Sequence, residues 1–393
     1  MTRTARRSGV WSRWRYRHGL LVALVTLPMG LARGQTIPAR LDDKTFWHMV
    51  TEMSEPGGFF RSDNFVSNET AFQTVIPRLQ EFIPPGSVYV GVGPDQNFTY
   101  ITSLRPAIAF VVDIRRQNML QHLLYKAMIE IAPDRAQFLS MLFSRPRPAD
   151  VDSTTTAEAM LLAYQRVPAD SIGFDKLHAT LVDRLTKTHG FVLTPEDLAA
   201  MKYVHTAFMV GGPDLTYSFG RGPYGMYGRR AMPTYAELMV ATDSGGVARS
   251  YLASEANFRT LKDLEVRNLI VPITGDFAGD KAVRAVGQWV REHQATVAVF
   301  YTSNVEQYLF QTPDAWSRYY ASVGTMPLAG NSVFIRAVFG YGGNFNTGPP
   351  FGMRSATLLL PIQDLLKAVG EGRIQSYFDV IQLSREFTER GSS

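Results

Sequence analysis

The spacing of apolar residues changes period along the chain, and the changes divide it into segments. From Gln35 to Phe82 the apolar positions Phe72, Val75, Ile76, Leu79 and Phe82 follow helical spacing behind the cap-type residues Ser67-Asn-Glu-Thr70, which predicts a mostly helical N-terminal segment. Ser87 to Gly91 and Ala107 to Asp113 are instead short continuous apolar runs, the pattern of strands buried on both faces. Helical patterns follow each of them, over Phe98 to Leu104 and Asn118 to Ile131. The alternation resumes later, with strands expected at 268–274, 295–301 and 332–338 and helices at 281–293 and 305–323. Strands alternating with helices define an α/β protein with a doubly wound, mainly parallel, Rossmann-like sheet. Residues 83–131 and 266–393 make this domain. Residues 132–265 read as a mostly helical insertion, expected over the sheet edge where ligands bind.

Charge changes the picture at one end only. The formal net charge is +5, but residues 1–34 carry seven arginines and no Asp, Glu or Lys, so the remainder is at −2. A nucleic-acid module keeps its Lys and Arg on the folded surface, and this body has no such excess. The arginine-rich start precedes an apolar run from Gly19 to Ala32 that Pro28 interrupts, the pattern of a signal peptide cleaved before Gln35. The expectation is an exported protein with no stable membrane insertion after cleavage. The chain has no cysteine, which excludes disulfides and thiol chemistry.

The loop Gly91-Val-Gly93-Pro-Asp95-Gln-Asn97 follows the first strand and opens a helix. Glycines there allow a sharp turn and close backbone approach to a ligand, beside the free N–H groups of a helix start. Asp113 ends the second strand twenty residues beyond Gly93, where a carboxylate can accept both hydroxyls of a ribose. The same residue could equally pair with Arg115 or Arg116. Gln96 stands where a dinucleotide fingerprint has its third glycine, which disfavours nicotinamide and flavin dinucleotides.

This arrangement, with Thr274-Gly-Asp-Phe277 after the third strand, resembles the class I methyltransferases, which bind S-adenosylmethionine. The resemblance implies that Gly91 and Gly93 face the methionyl part, Asp113 holds the ribose and Asp276 meets the adenine amino group. Asp95, Asn97 and Phe277 complete the candidate cofactor contacts. The wider text, including Phe60 to Glu69, Tyr251 to Phe258 and Phe300 to Glu306, looks like an uncharacterised bacterial family with this methyltransferase-like core, a likeness that brings a fold and no established reaction.

Ser303-Asn304-Val-Glu306 follows the next strand. In one reading Asn304 orients an acceptor, Glu306 serves as general base and Ser303 faces the substrate. In the other the three residues cap and charge a helix start. Tyr217 and Tyr224, in a glycine- and tyrosine-rich stretch from Gly211 to Gly228, are candidate substrate contacts in a loop able to cover a ligand. No His-Glu-x-x-His, complete phosphate loop or Gly-x-Ser-x-Gly is present, which disfavours metalloprotease, nucleoside triphosphatase and serine hydrolase. Two readings of function remain: a methyltransferase-like protein acting on a small acceptor, and an exported binding protein that keeps the Rossmann core without transfer chemistry.

Overall fold

A computed structural model describes residues 36–218, 232–339 and 355–390; the leader, Tyr224 and the glycine-rich stretch at 340–350 lie outside them. Six strands form one sheet: β1 (Val88–Gly91), β2 (Ile108–Asp113), β3 (Ile270–Thr274), β4 (Val297–Ser303), β5 (Leu328–Phe339) and β6 (Ser355–Pro361). Their order is β3-β2-β1-β4-β5-β6, parallel throughout except for the antiparallel β5–β6 pair. The protein is therefore α/β with a mostly parallel mixed sheet, in the strand order of doubly wound folds. Every residue of β1, β2 and β3 is buried, as expected of apolar runs covered on both faces.

Helix α3 (Gln96–Leu104) and α4 (Arg116–Ile131) connect the first strands. The helix α4 is buried almost all round, because β2 and β3 cover one side and the insertion helices Pro195–Gly211 and Glu255–Val266 cover another. Between β2 and β3 the regular elements among the described residues are helices apart from one isolated β-bridge, Thr242 to Ala248, and residues 35–393 form one compact unit. Among the described residues no helix is long and apolar enough to cross a membrane.

Three sequence expectations need correction. Residues 35–82 are not mostly helix: only α1 (Asp43–Glu52) and α2 (Ile76–Phe82) are helical, and 53–75 is irregular. Pro56 and two glycines break the pattern, and the backbone bonds there go to the sheet edge, Glu55 N to Thr274 O (2.8 Å) and Gly58 N to Ile114 O (2.8 Å). A side chain at Gly58 would meet Ile114 at 2.6 Å, so this close approach needs glycine. The helix expected over 305–323 is two, Val305–Leu309 and Ala315–Val323, separated at Pro313 and Asp314, the latter at φ 58°. Finally, β6 and the helices Ile362–Gly370 and Tyr377–Arg390 had no counterpart among the expected elements.

Candidate functional site

The chain runs from β1 outward to β2 and β3, then returns to the other side of β1 with β4. Such a reversal opens a crevice at the carboxyl ends of the strands. A cavity of about 150 Å³ lies there, lined by the ends of β1 to β4, the irregular segment 60–69 and Tyr217 of the insertion. That is roughly ten times the space one buried water needs.

The structure brings Gly93, Asp113, Asp276, Phe277, Tyr217, Ser303 and Asn304 to this cavity. Gly93 has φ 81°, and nothing lies within 4 Å of the place its Cβ would take, so bare backbone faces open space. Asp113 is gripped by Arg115: its Oδ1 accepts from the backbone N (2.8 Å) and Nε (3.0 Å), and its Oδ2 accepts from Nη2 (2.8 Å). The arginine-paired alternative for Asp113 is thus present, and one lone pair of Oδ2 is left for a ligand hydroxyl. Arg115 also donates through Nη1 to Asp63 O, and it is the one cation among the described lining residues. Asp276 accepts from Ala278 N (2.9 Å) through Oδ1. Phe277 stacks on Tyr319 with ring centroids 5.1 Å apart. Tyr217 is held by its carbonyl, which accepts from Phe65 N (3.1 Å).

Four candidates do not reach the cavity. A Cβ at Gly91 would come within 2.0 Å of Asn97 Oδ1, so this glycine makes room for protein, not ligand. Asn97 is spent on its own loop: Oδ1 accepts from Tyr89 OH (2.9 Å), and Nδ2 donates to the carbonyls of Val92 (2.9 Å) and Pro94 (2.7 Å). Asp95 turns toward the insertion and accepts from Tyr251 OH (2.8 Å). Burial pushes its carboxyl up to about 7. Glu306 is fully buried between β4 and β5, where Arg336 donates to Oε2 (2.8 Å) and Oε1 (3.0 Å) and Tyr320 OH donates to Oε1 (2.8 Å). A carboxylate locked in that ion pair is no general base for the cavity. Asn304 occupies the N-cap position without a capping bond and donates to Gln307 Oε1 (3.3 Å).

Sequence reasoning missed the most unusual residue of the site. Glu69 is 1 % exposed and lines the cavity. Its Oε1 accepts from Tyr301 OH and Ser303 Oγ, while its Oε2 has no hydrogen-bond partner. Burial pushes this carboxyl above its ordinary range, against the interactions with Ser303, Tyr301 and the Gln96 side chain. Gln96 donates through Nε2 to Tyr301 OH, and its Oε1 is also without a partner, as is Asn64 Oδ1. Ser303 at φ 52° and Asn64 at φ 51° both adopt left-handed backbone conformations, which are costlier for serine than for asparagine and cluster here at one cavity. Glu69 looked like a helix cap from sequence alone; the unexpected position was Gln96, a bulky side chain in a glycine-type loop.

Nearby, His122 Nε2 lies 2.9 Å from Gly93 O, and burial pushes its imidazole down to about 4, so it supports the loop as a neutral structural group. Among the described residues no cluster of His, Asp or Glu is placed to hold a metal.

Fold and site together define an α/β protein with a preformed, acceptor-rich crevice at its strand-order reversal. The family model described as a domain of unknown function, DUF7790, matches residues 64–159 and 225–359, and the chain belongs to that family. No curated protein matches it. The matched segments include Asn64, Glu69, Gly93, Asp113, Asp276 and Ser303, and leave out Tyr217.

Proposed function

We propose that the crevice binds a nucleoside-type small molecule, S-adenosylmethionine being the cofactor that the methyltransferase resemblance implies. The observation that carries this reading is the shared cavity of Gly93, Asp113 and Asp276 at the ends of three adjacent parallel strands. A ribose hydroxyl would donate to Asp113 Oδ2, a base amino group to Asp276, and the ligand backbone would pass over Gly93. Aromatic faces at Phe60, Tyr217 and Phe277 suit a flat base. The single cation, already bound to two acceptors, supports a donor-rich ligand over a phosphorylated one.

Transfer to a small acceptor would rest on positioning, with methyl donor and nucleophile held in line. A second reading, binding without transfer, is favoured by the placement of Glu306 in the core. It also suits the export expected from the leader, since an adenosyl cofactor is made in the cytosol.

Titration calorimetry of the full chain with S-adenosylmethionine tests the first reading. Saturable binding, weakened at least tenfold by Asp276→Ala, is the expected result. Absence of binding to any adenosyl nucleoside would sink it. Cell fractionation with and without residues 1–34 tests export.

A further inference from the structure

Two strands along the sheet edge from Asp113, the cavity has a second polar centre that the nucleoside reading leaves unused. Gln96 follows β1 and Ser303 ends β4, so Glu69, bound to Ser303, lies at the reversal of strand order itself. With neighbouring strands ~4.8 Å apart, the end of β4 is about 10 Å from the end of β2. Two oxygens there have no donor, Glu69 Oε2 and Gln96 Oε1, and a third, Asn64 Oδ1, is without one elsewhere in the cavity wall. All belong to residues lining the cavity.

A buried acceptor left without a donor costs free energy comparable to a lost hydrogen bond, so three at one cavity call for a ligand that supplies donors. An anion would meet three lone-pair oxygens and one committed arginine. A primary ammonium supplies three N–H donors and a charge that a carboxylate can balance. The ring of Phe60 also lines the cavity and can attract a cation, whereas that of Tyr308, with its centroid 5.2 Å away, already has the Arg61 guanidinium over it.

We propose that the crevice between β1 and β4 is an amine-binding subsite in which Glu69 Oε2 takes a primary ammonium. This deepens the nucleoside reading, on which it rests for what lies beside the amine. The amine belongs either to the nucleoside's own side chain or to a separate acceptor molecule. Burial keeps the empty Glu69 carboxyl protonated to higher pH than an ordinary glutamate, and an arriving ammonium stabilises the ionised form.

The test uses the full chain and four probes in titration calorimetry. Methylthioadenosine carries the nucleoside without an amino-acid end; S-adenosylhomocysteine adds an ammonium together with a carboxylate, and the comparison with Glu69→Gln isolates the ammonium. Added to the methylthioadenosine-loaded protein, n-butylamine supplies a separate amine, with n-butanol as its neutral counterpart. Tighter binding of S-adenosylhomocysteine, with the advantage cut at least tenfold in Glu69→Gln, supports the proposal and places the amine on the nucleoside. Equal binding of the two nucleosides, with n-butylamine held over n-butanol and released in Glu69→Gln, supports it with a separate amine. Absence of any amine preference in the unaltered protein, or a preference untouched by Glu69→Gln, overturns it. Should Glu69→Gln fail to fold, Asn64→Gly removes another of the three oxygens at a position where glycine suits the backbone, and a several-fold loss of amine preference is expected. If neither nucleoside binds but n-butylamine does, the nucleoside reading falls and the amine subsite stands.

Discussion

Two buried arginine–carboxylate pairs sit on opposite sides of β1, one at the end of β2 and one at β4 and β5, and differ in what surrounds them. Glu306 and Arg336 are wholly enclosed: Tyr320 donates to the carboxylate, and Arg336 Nη1 donates to Ser384 Oγ (2.7 Å) on the C-terminal helix. Asp113 and Arg115 show the same forked geometry at the wall of a cavity, with a carboxylate lone pair to spare. The first pair ties β4, β5 and a helix together. The second leaves an acceptor facing the cavity. Similar residues at similar strand ends thus serve different ends, decided by whether the space beside them is filled.

The largest effect is expected at the enclosed pair. Glu306→Gln leaves a buried guanidinium without its counter-charge and should cost about 3–5 kcal/mol in denaturant unfolding, while the double change Glu306→Gln with Arg336→Met recovers much of it. Asp113→Asn should cost less, about 1.5–3 kcal/mol, because water in the cavity can solvate Arg115, and it should also weaken nucleoside binding at least tenfold. If the two single variants cost the same, the contrast between filled and open surroundings is wrong.

A smaller effect separates Asp95 from its supposed cofactor role. Its folded pKa, raised to about 7 by burial, lies above the unfolded value near 3.8, so the stability its neutral form provides is full below pH 3.8 and lost as pH rises through 7. Asp95→Asn should therefore gain thermal stability relative to the unaltered protein at pH 8 and not at pH 3.5, with ligand affinity unchanged. Comparing variant with parent at each pH cancels the opposite trend from His122. The smallest effect is expected at the exposed pair Lys187 and Asp183, one turn apart on the surface, where Lys187→Ala should leave the melting temperature within error.

The sheet was legible because its central strands are unbroken apolar runs, and β1 to β5 lie where the pattern puts them to within a few residues. The site was legible only where position along a strand decides it: Gly93, Asp113, Asp276 and Ser303 each stand at or just after a strand end. What followed one turn later was not. Ser303 faces the cavity and Glu306 the core, a difference set by the left-handed turn at Ser303 and by Arg336, whose place in an apolar strand demanded a buried carboxylate. That demand was a usable signal, since a charge among Val333, Phe334, Ile335 and Val338 needs a partner. Glu69 offered no such clue. Its role comes from a chain path across the sheet edge that neither period nor propensity encodes.

That path also separates two jobs within the chain. The alternating strands and helices build a frame whose stability lies in the central sheet, whereas the irregular stretch at 53–75 brings Asn64 and Glu69 to its rim from outside the repeating pattern. The strap is anchored by Phe65, Val66 and Phe72 in the main core, so the polar positions 64 and 69 can change while the side chains that hold the strap to the frame are kept.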